Sequence, residues 1–256
     1  EPASYPAIIT EDISDFVLSL SVQETKASIE EGEDVLSWWN PIEQKHYRLK
    51  YVNNFDIRKI DLLTSPSSTS LEYSIRKLFD LGFVDHLLRP TIFGYLADKI
   101  REIRIEAKRM ILAGFYENAA VNCLITIAIM LNYGKDLKKK TRFNDDDLID
   151  YVITFEKYID NIDNRDWEAE NKIPSGTLNK IIAGRDQLIK DMLTLGINPW
   201  FAEVKLSALK DSEFINECIK IQKCIQSGFK QQTFYYLAGK FTNEKITFRQ
   251  IFRRRC

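Results

Sequence analysis

The sequence predicts a mainly α-helical bundle with a small mixed α/β segment at its N-terminus. Apolar residues recur at intervals of three and four through most of the chain after residue 65, which is the period of an amphipathic helix. The stretch "ENAAVNCLITIAIML" at 117–131 is almost wholly apolar, which is typical of a central helix in a bundle. Strands and helices do not alternate in the way that builds a parallel sheet.

Residues 1–64 are predicted to form the mixed segment. Thr10 is the expected N-cap of a first helix. The apolar positions of that helix are Ile13, Phe16, Val17 and Leu20. The stretch "KHYRLKYV" alternates between apolar and polar residues and predicts a short strand. The run "TSPSSTS" has the composition of a linker, so we place a boundary there and assign 65–256 to a helical bundle domain.

Helical patterns follow one another in this domain. Ser70 is the expected cap of the first, and Gly82 lies near its end. A narrow apolar face then predicts one helix that ends at a left-handed Gly114. The residues of that face are Leu96, Ile100, Ile103, Ala107 and Met110.

The buried helix at 117–131 comes next, and three more helical patterns follow it, the second of them opened by Pro174 and Ser175. Their expected core positions are Leu148, Val152, Phe155, Ile159 and Ile162 in the first, Leu178, Ile182, Ile189 and Met192 in the second, and Ile215, Cys218, Ile225 and Phe229 in the third.

The charge balance predicts that any site for a polyanion is local. Lys and Arg number 36 against 37 Asp and Glu, for a net charge of −1. Four cysteines without a CxxC pair, together with two histidines, do not favour structural zinc, and we expect a reducing, cytoplasmic location. The buried helix, about 20 Å long, is too short for a hydrocarbon core of about 30 Å, so no membrane span is predicted.

Arg185 occupies a position where the fourth-helix pattern calls for an apolar side chain. A core-facing guanidinium is costly unless it meets a carboxylate, carbonyls or a phosphate. In the alternative interpretation, the core face passes through Ile181, Leu188 and Leu195 and leaves Arg185 at its edge with a buried stem. The amide of Asn122, inside the apolar helix, is expected to bond to a neighbouring helix, either through Arg185 or through another polar residue of that helix.

A basic stretch precedes the acidic start of the next helix. Its candidate phosphate contacts are Lys138, Lys139, Lys140 and Arg142, which could instead be neutralised by nearby aspartates. Asp146, Asp147 and Asp150 have the spacing of Mg²⁺–diphosphate ligands in terpene and prenyl synthases, but acids at a helix start are ordinary capping chemistry. No GxxxxGK[ST], GxSxG or HExxH motif is present, so we identify no catalytic residue, metal ligand or cofactor, and an enzyme is not favoured.

The segment from Arg104 to Met192 resembles the higher eukaryotes and prokaryotes nucleotide-binding (HEPN) helical family. "RIEAKRMILAGFYENAAVNCLITIAIML" is similar to the first helix pair of that family, and "LNKIIAGRDQLIKDM" to the helix with its arginine–polar–histidine signature. The resemblance implies that Arg185 and Asp186 match the arginine and the polar residue. The histidine is missing, and Lys190 stands in its place, so the resemblance implies a module without the cleavage chemistry of ribonuclease members.

Two functions follow as hypotheses. The first is a degenerate HEPN-like module that binds RNA or a nucleotide, or dimerises, through Arg185, Lys190 and the basic stretch that ends at Arg142. The second is a helical protein–protein adaptor or assembly subunit with no nucleic-acid role, for which an exposed apolar patch would be the mark.

Overall fold

The computed structural model describes residues 12–33, 38–40, 44–56, 66–137, 147–162, 175–194, 204–230, 234–235 and 249–250, with the single residues 58, 164 and 166. Within these residues lie eight α-helices, a three-stranded antiparallel sheet and a two-residue β-pair. The predicted mainly α-helical bundle with a mixed N-terminal segment is confirmed.

The helices and strands are bounded as follows. The helices are α1 (Ser14–Glu24), α2 (Ser68–Asp80), α3 (Ile92–Lys99), α4 (Ile105–Glu117), α5 (Val121–Leu137), α6 (Asp147–Asp160), α7 (Ser175–Thr194) and α8 (Asp211–Gly228). The strands are β1 (Ser28–Glu31), β2 (Trp38–Asn40), β3 (Lys45–Lys50), β4 (Phe234–Tyr235) and β5 (Arg249–Gln250). A 3₁₀ helix, Leu206–Ala208, precedes α8.

Helix α1 packs against α2 and α3 with a different face from the one predicted. Val17 is buried as expected, but Phe16 is 42% exposed, and Leu18 and Val22 are buried. The face also contains small serines, such as Ser21, which hydrophobic spacing does not mark as interior. The predicted cap Thr10 lies outside the described residues.

The predicted strand is β3, which lies in the middle of the sheet in the order β1–β3–β2. Tyr47 and Leu49 pack against the core from its inner face, as the alternation indicates. On the other face Arg48 pairs with Glu30 of β1 at 2.8 Å, so the basic residues of this strand are matched by the acids of its neighbour.

The N-cap of helix α2 lies three residues before the predicted one. Ser67, rather than Ser70, is the N-cap, and its side chain accepts a hydrogen bond from the Ser70 N–H. Several serines in a row offer equivalent caps, so the sequence does not single out one. The proposed boundary between 1–64 and 65–256 falls at residues outside the described part and stays a prediction; α1 contacts helices that follow it.

The apolar face predicted for one helix belongs to two. All five of its residues are buried, but Ile100 adopts an extended conformation that ends α3, and Glu102 has a φ of 65°. Helix α4 then runs past Gly114 to Glu117 and ends at Asn118, whose φ of 49° is left-handed. Gly114 instead allows close packing on α5, because an added Cβ would lie 2.5 Å from Leu124 Cδ1.

Helix α5 is central, as predicted, and contacts α4, α6, α7 and α8. Its residues from Cys123 to Met130 are all buried. The core face of α8 differs from the prediction, since Ile215 is 56% exposed while Glu217, Ile221 and Cys224 are buried. Ile159 of α6 and Ile162, just after its end, are likewise exposed rather than in the core.

Two glycines mark places where backbones meet. A Cβ at Gly228 of α8 would lie 2.3 Å from the carbonyl oxygen of Glu106 in α4. A Cβ at Gly94 of α3 would lie 2.0 Å from the carbonyl oxygen of Phe83. Neither site has room for a side chain, so Gly228 fixes how closely α8 approaches α4, and Gly94 how closely α3 approaches the turn at Phe83.

None of the described helices combines the length and the apolar character needed to cross a bilayer.

Candidate binding cleft around Arg185

A polar cleft of about 260 Å³ lies where α5, α6 and α7 meet residues 204–205. Each wall contributes at least one polar side chain: Asn122 from α5, Glu156 and Asp160 from α6, and Arg185 from α7. Of the predicted site residues that the structure describes, Arg185 is the one that lines this cleft.

Arg185 lies at the edge of the core face of α7. Ile181 and Leu188 are buried and Arg185 is half-buried, which agrees with the second interpretation of its position. The guanidinium carbon lies 5.7 Å from the centre of the Phe155 ring, within the range of a cation–π contact. Its Nε is enclosed and has no hydrogen-bond partner among the described residues. A hydrogen-bond donor is therefore left unused beside the cleft.

Asn122 forms hydrogen bonds from within the apolar helix, as the sequence predicts, but to a different partner from the predicted helix. The Asn122 amide nitrogen donates to the carbonyl oxygen of Val204 at 2.9 Å, and the Val204 N–H donates back to Asn122 Oδ1 at 3.4 Å. The expectation that Asn122 would bond to Arg185 or to α7 is wrong, because the backbone at residue 204 occupies that side of α5. Asn122 therefore links Val204, just before the 3₁₀ helix, to the central helix α5 by hydrogen bonds.

Both carboxylates of the cleft are engaged. Glu156 accepts the N–H groups of Leu206 and Ser207 at 2.8 and 2.9 Å, which caps the first turn of the 3₁₀ helix. Asp160 pairs with Lys205 at 2.6 Å. Sequence reasoning missed Glu156, since its partners are backbone groups fifty residues later and no local pattern reveals them.

Neither Cys123, which lines the cleft, nor the buried Cys224 of α8 has the low pKa of a nucleophilic thiol. Burial raises the pKa of Cys123, and nearby carboxylates raise it further. Burial likewise raises the pKa of Cys224 to about 12. Both groups are therefore protonated near neutral pH and behave as small apolar side chains. Among the described residues, no group of three or more His, Cys, Asp or Glu side chains is placed to hold a metal ion.

The other predicted residues are not gathered at the cleft. Asp186 and Lys190 are exposed on α7 and do not line it. Lys138, Lys139, Lys140 and Arg142 lie outside the described residues, as does Asp146. The structure thus brings two cations, Arg185 and Lys205, together with an amide and two carboxylates, and Arg185 is the cation without a carboxylate partner among the described residues.

No family model matches the chain, and the HEPN resemblance stays a prediction. The chain is similar to proteins named "Putative RNA Helicase B962L" from African swine fever virus. The proteins of isolates Tick/South Africa/Pretoriuskop Pr4/1996 and Warthog/Namibia/Wart80/1980 are each 20% identical over 285 residues, covering 91% of this chain and 27% of theirs. That of isolate Pig/Kenya/KEN-50/1950 is 20% identical over 235 residues, 71% of this chain and 24% of its own. The chain therefore spans about a quarter of the length of these relatives.

Proposed function

We propose that this chain is an RNA-binding helical segment of an RNA helicase-like protein. The observation that carries the proposal is the similarity over 91% of the chain to viral proteins whose name describes an RNA helicase. Proteins of this kind hold a single strand through local cations and stacking side chains rather than through base-specific contacts. The matched region is 24–27% of the length of these relatives. We therefore propose that this segment binds the RNA strand, and not that it carries the activity of a whole helicase.

Arg185 is the contact that we propose within the cleft. Its guanidinium can donate two parallel hydrogen bonds to a phosphate, which a lysine cannot do. The carboxylates that would oppose a phosphate are already occupied, Glu156 by two backbone N–H groups and Asp160 by Lys205. This leaves Arg185 as the cleft cation without a carboxylate partner among the described residues.

The small net charge sets an expectation for how binding responds to salt. With a net charge of −1, the whole surface does not attract RNA, and affinity must arise from a few phosphate contacts. Each contact with a single strand adds about −0.7 to the slope of log K against log salt. We therefore expect a shallow slope, about −2 to −3, rather than the steep one of a strongly basic protein.

Fluorescence anisotropy with a labelled single-stranded RNA, at low and moderate salt, tests the proposal. Arg185→Ala is expected to weaken binding about tenfold, because it removes a charge-assisted contact. Arg185→Lys keeps the charge and should recover part of the loss. Lys180→Ala removes an exposed cation from the same helix and is the matched control, with affinity expected to stay within about twofold.

Circular dichroism establishes that each variant is folded. Failure of the unaltered chain to bind RNA at low salt contradicts the proposed function. The adaptor hypothesis would then be pursued by identifying protein partners. The HEPN-like hypothesis places a phosphate at the same arginine, so Arg185→Ala tests that part of it as well.

A further inference from the structure

A second arginine, on the surface formed by α3 and α4, contacts a half-buried aromatic ring that lies beside an exposed one. The guanidinium carbon of Arg109 lies 4.9 Å from the centre of the Phe93 ring. The Phe93 and Tyr116 rings are 5.9 Å apart and tilted by 53°. Tyr116 is 72% exposed, the most open of the large apolar or aromatic side chains in the described residues. We call Phe93, Arg109 and Tyr116 the aromatic–arginine cluster.

Arg109 has no carboxylate partner among the described residues. Burial lowers its pKa, although an arginine stays charged at neutral pH, and the groups that face it are the Cys224 thiol and the Tyr116 hydroxyl. The acids of the adjoining segments are already engaged: Glu117 pairs with Lys223 at 3.6 Å, and buried Glu217 with Lys220 at 3.1 Å. The cluster is therefore cationic, with its cation partly removed from water.

The spacing along α4 places the Arg109 side chain and the Tyr116 ring on the same face of the helix. Arg109 and Tyr116 are seven residues apart, which is two helical turns, and so lie on one face about 10 Å apart along the axis. A single-stranded nucleic acid offers planar bases and phosphates on a comparable scale. Sequence-tolerant binding of such strands relies on aromatic rings that stack bases beside arginines that meet the backbone.

We propose that the aromatic–arginine cluster is a stacking site for an unpaired RNA base, with Tyr116 receiving the base and Arg109 a neighbouring phosphate. This rests on the proposed RNA-binding function and adds a second contact surface, separate in sequence and in the fold from the cleft at Arg185. Phe93 supports the site by holding the Arg109 guanidinium against its ring and the Tyr116 ring at its edge.

Binding of the full chain to two RNAs of equal length tests the proposal, one with all its bases and one with abasic positions in the middle. Both carry the same phosphates, so a stacking site predicts about tenfold tighter binding of the intact strand, the scale of one base–aromatic stack. Tyr116→Ala should reduce that preference to about twofold or less while leaving affinity for the abasic strand unchanged. Tyr116→Phe keeps the ring and should retain the preference.

Tyr73→Ala is the matched control, because Tyr73 is 53% exposed on α2 and lies outside the cluster. A 2-aminopurine base in the intact strand gives a second readout, since stacking on the protein alters its fluorescence. If the unaltered chain binds both strands equally, or if Tyr116→Ala keeps the preference, the stacking site is overturned while RNA binding stands. If the unaltered chain binds neither strand, the proposed function and the stacking site fail together. The comparison of the two strands needs no variant, so it decides the question even if Tyr116→Ala fails to fold.

Discussion

Two pairs of buried or half-buried cations among the described residues differ in what they contact. Beneath helix α1, Lys77 and Lys108 each meet carboxylates at 2.5 to 2.6 Å. Arg109 and Arg185, which lie at two separate sites, contact aromatic rings and have no carboxylate partner among the described residues. The difference separates cations whose charge is balanced within the fold from cations that are free to meet an anion from outside.

The paired lysines have a structural task. Lys77 of α2, 6% exposed, binds Asp12 before α1 and Glu106 of α4, whose side chain is 8% exposed. Lys108 of α4, 7% exposed, binds Asp15 of α1. These ion pairs join α1 to two helices of the bundle, so their charges are used within the fold.

The largest expected effect is that of removing one of these paired charges. Lys77→Ala should lower the free energy of unfolding by about 3–5 kcal/mol, because it leaves the buried Glu106 carboxylate with only the more distant Arg104 at 3.6 Å. Urea unfolding followed by circular dichroism measures this. Lys99→Ala is the control, since Lys99 is 38% exposed beside Asp98 and its loss should cost less than about 1 kcal/mol. Equal effects of the two variants would show that the buried ion pairs of Lys77 contribute no more to stability than the exposed pair of Lys99.

A smaller effect is expected at the cleft. Asn122→Ala should destabilise the fold by about 1–3 kcal/mol, since it removes two hydrogen bonds and leaves the backbone of Val204 without partners. Arg185→Ala should cost less than about 1 kcal/mol, because no hydrogen bond or ion pair is lost among the described residues. Chemical denaturation of both variants checks this order. A cost for Arg185→Ala as large as that for Asn122→Ala would assign Arg185 to the fold instead of to a ligand.

The smallest expected effect concerns acid stability. Burial alone would raise the pKa of Asp12, but hydrogen bonds from Lys77 and Ser14 outweigh it and hold that pKa below 3.8. A lowered pKa contributes stability that is present above pH 3.8 and is lost as the pH falls through the folded-state value. Asp12→Asn should therefore differ from the unaltered chain at neutral pH and converge with it in acid. Thermal melting from neutral pH down to about pH 3 measures the difference. A constant gap across that range would contradict the assignment.

Most of the helices could be predicted because their spacing is local information. The five residues of the interrupted apolar face are all buried, yet they belong to two helices, since the break at 100–104 depends on backbone conformations such as the positive φ of Glu102. The end of α4 was misplaced for a similar reason. Gly114 fits a left-handed cap by residue type, but packing against Leu124 uses it inside the helix, and Asn118 takes the cap.

The site was predicted at the level of single side chains and not of their partners. The positions of Arg185 and Asn122 were informative because each is polar where the pattern expects an apolar residue. Their surroundings were not, because Val204 and Glu156 reach the cleft through contacts that span 50 to 82 residues of sequence. The aromatic–arginine cluster could not be predicted from the sequence for the same reason, because Phe93 and Tyr116 belong to different helices and meet only in the folded chain.

The two glycines at which backbones meet have a use in comparing distant sequences. At 20% identity, four of every five aligned positions differ, so few identical residues fix the register of an alignment with these relatives. A relative that keeps these two backbone approaches must have a residue without a Cβ opposite Gly94 and Gly228, because the carbonyl oxygens of Phe83 and Glu106 occupy that space. An alignment with a larger residue at either position has the wrong register there or implies a different helix crossing. The pair is thus a geometric check on homology that percentage identity does not provide.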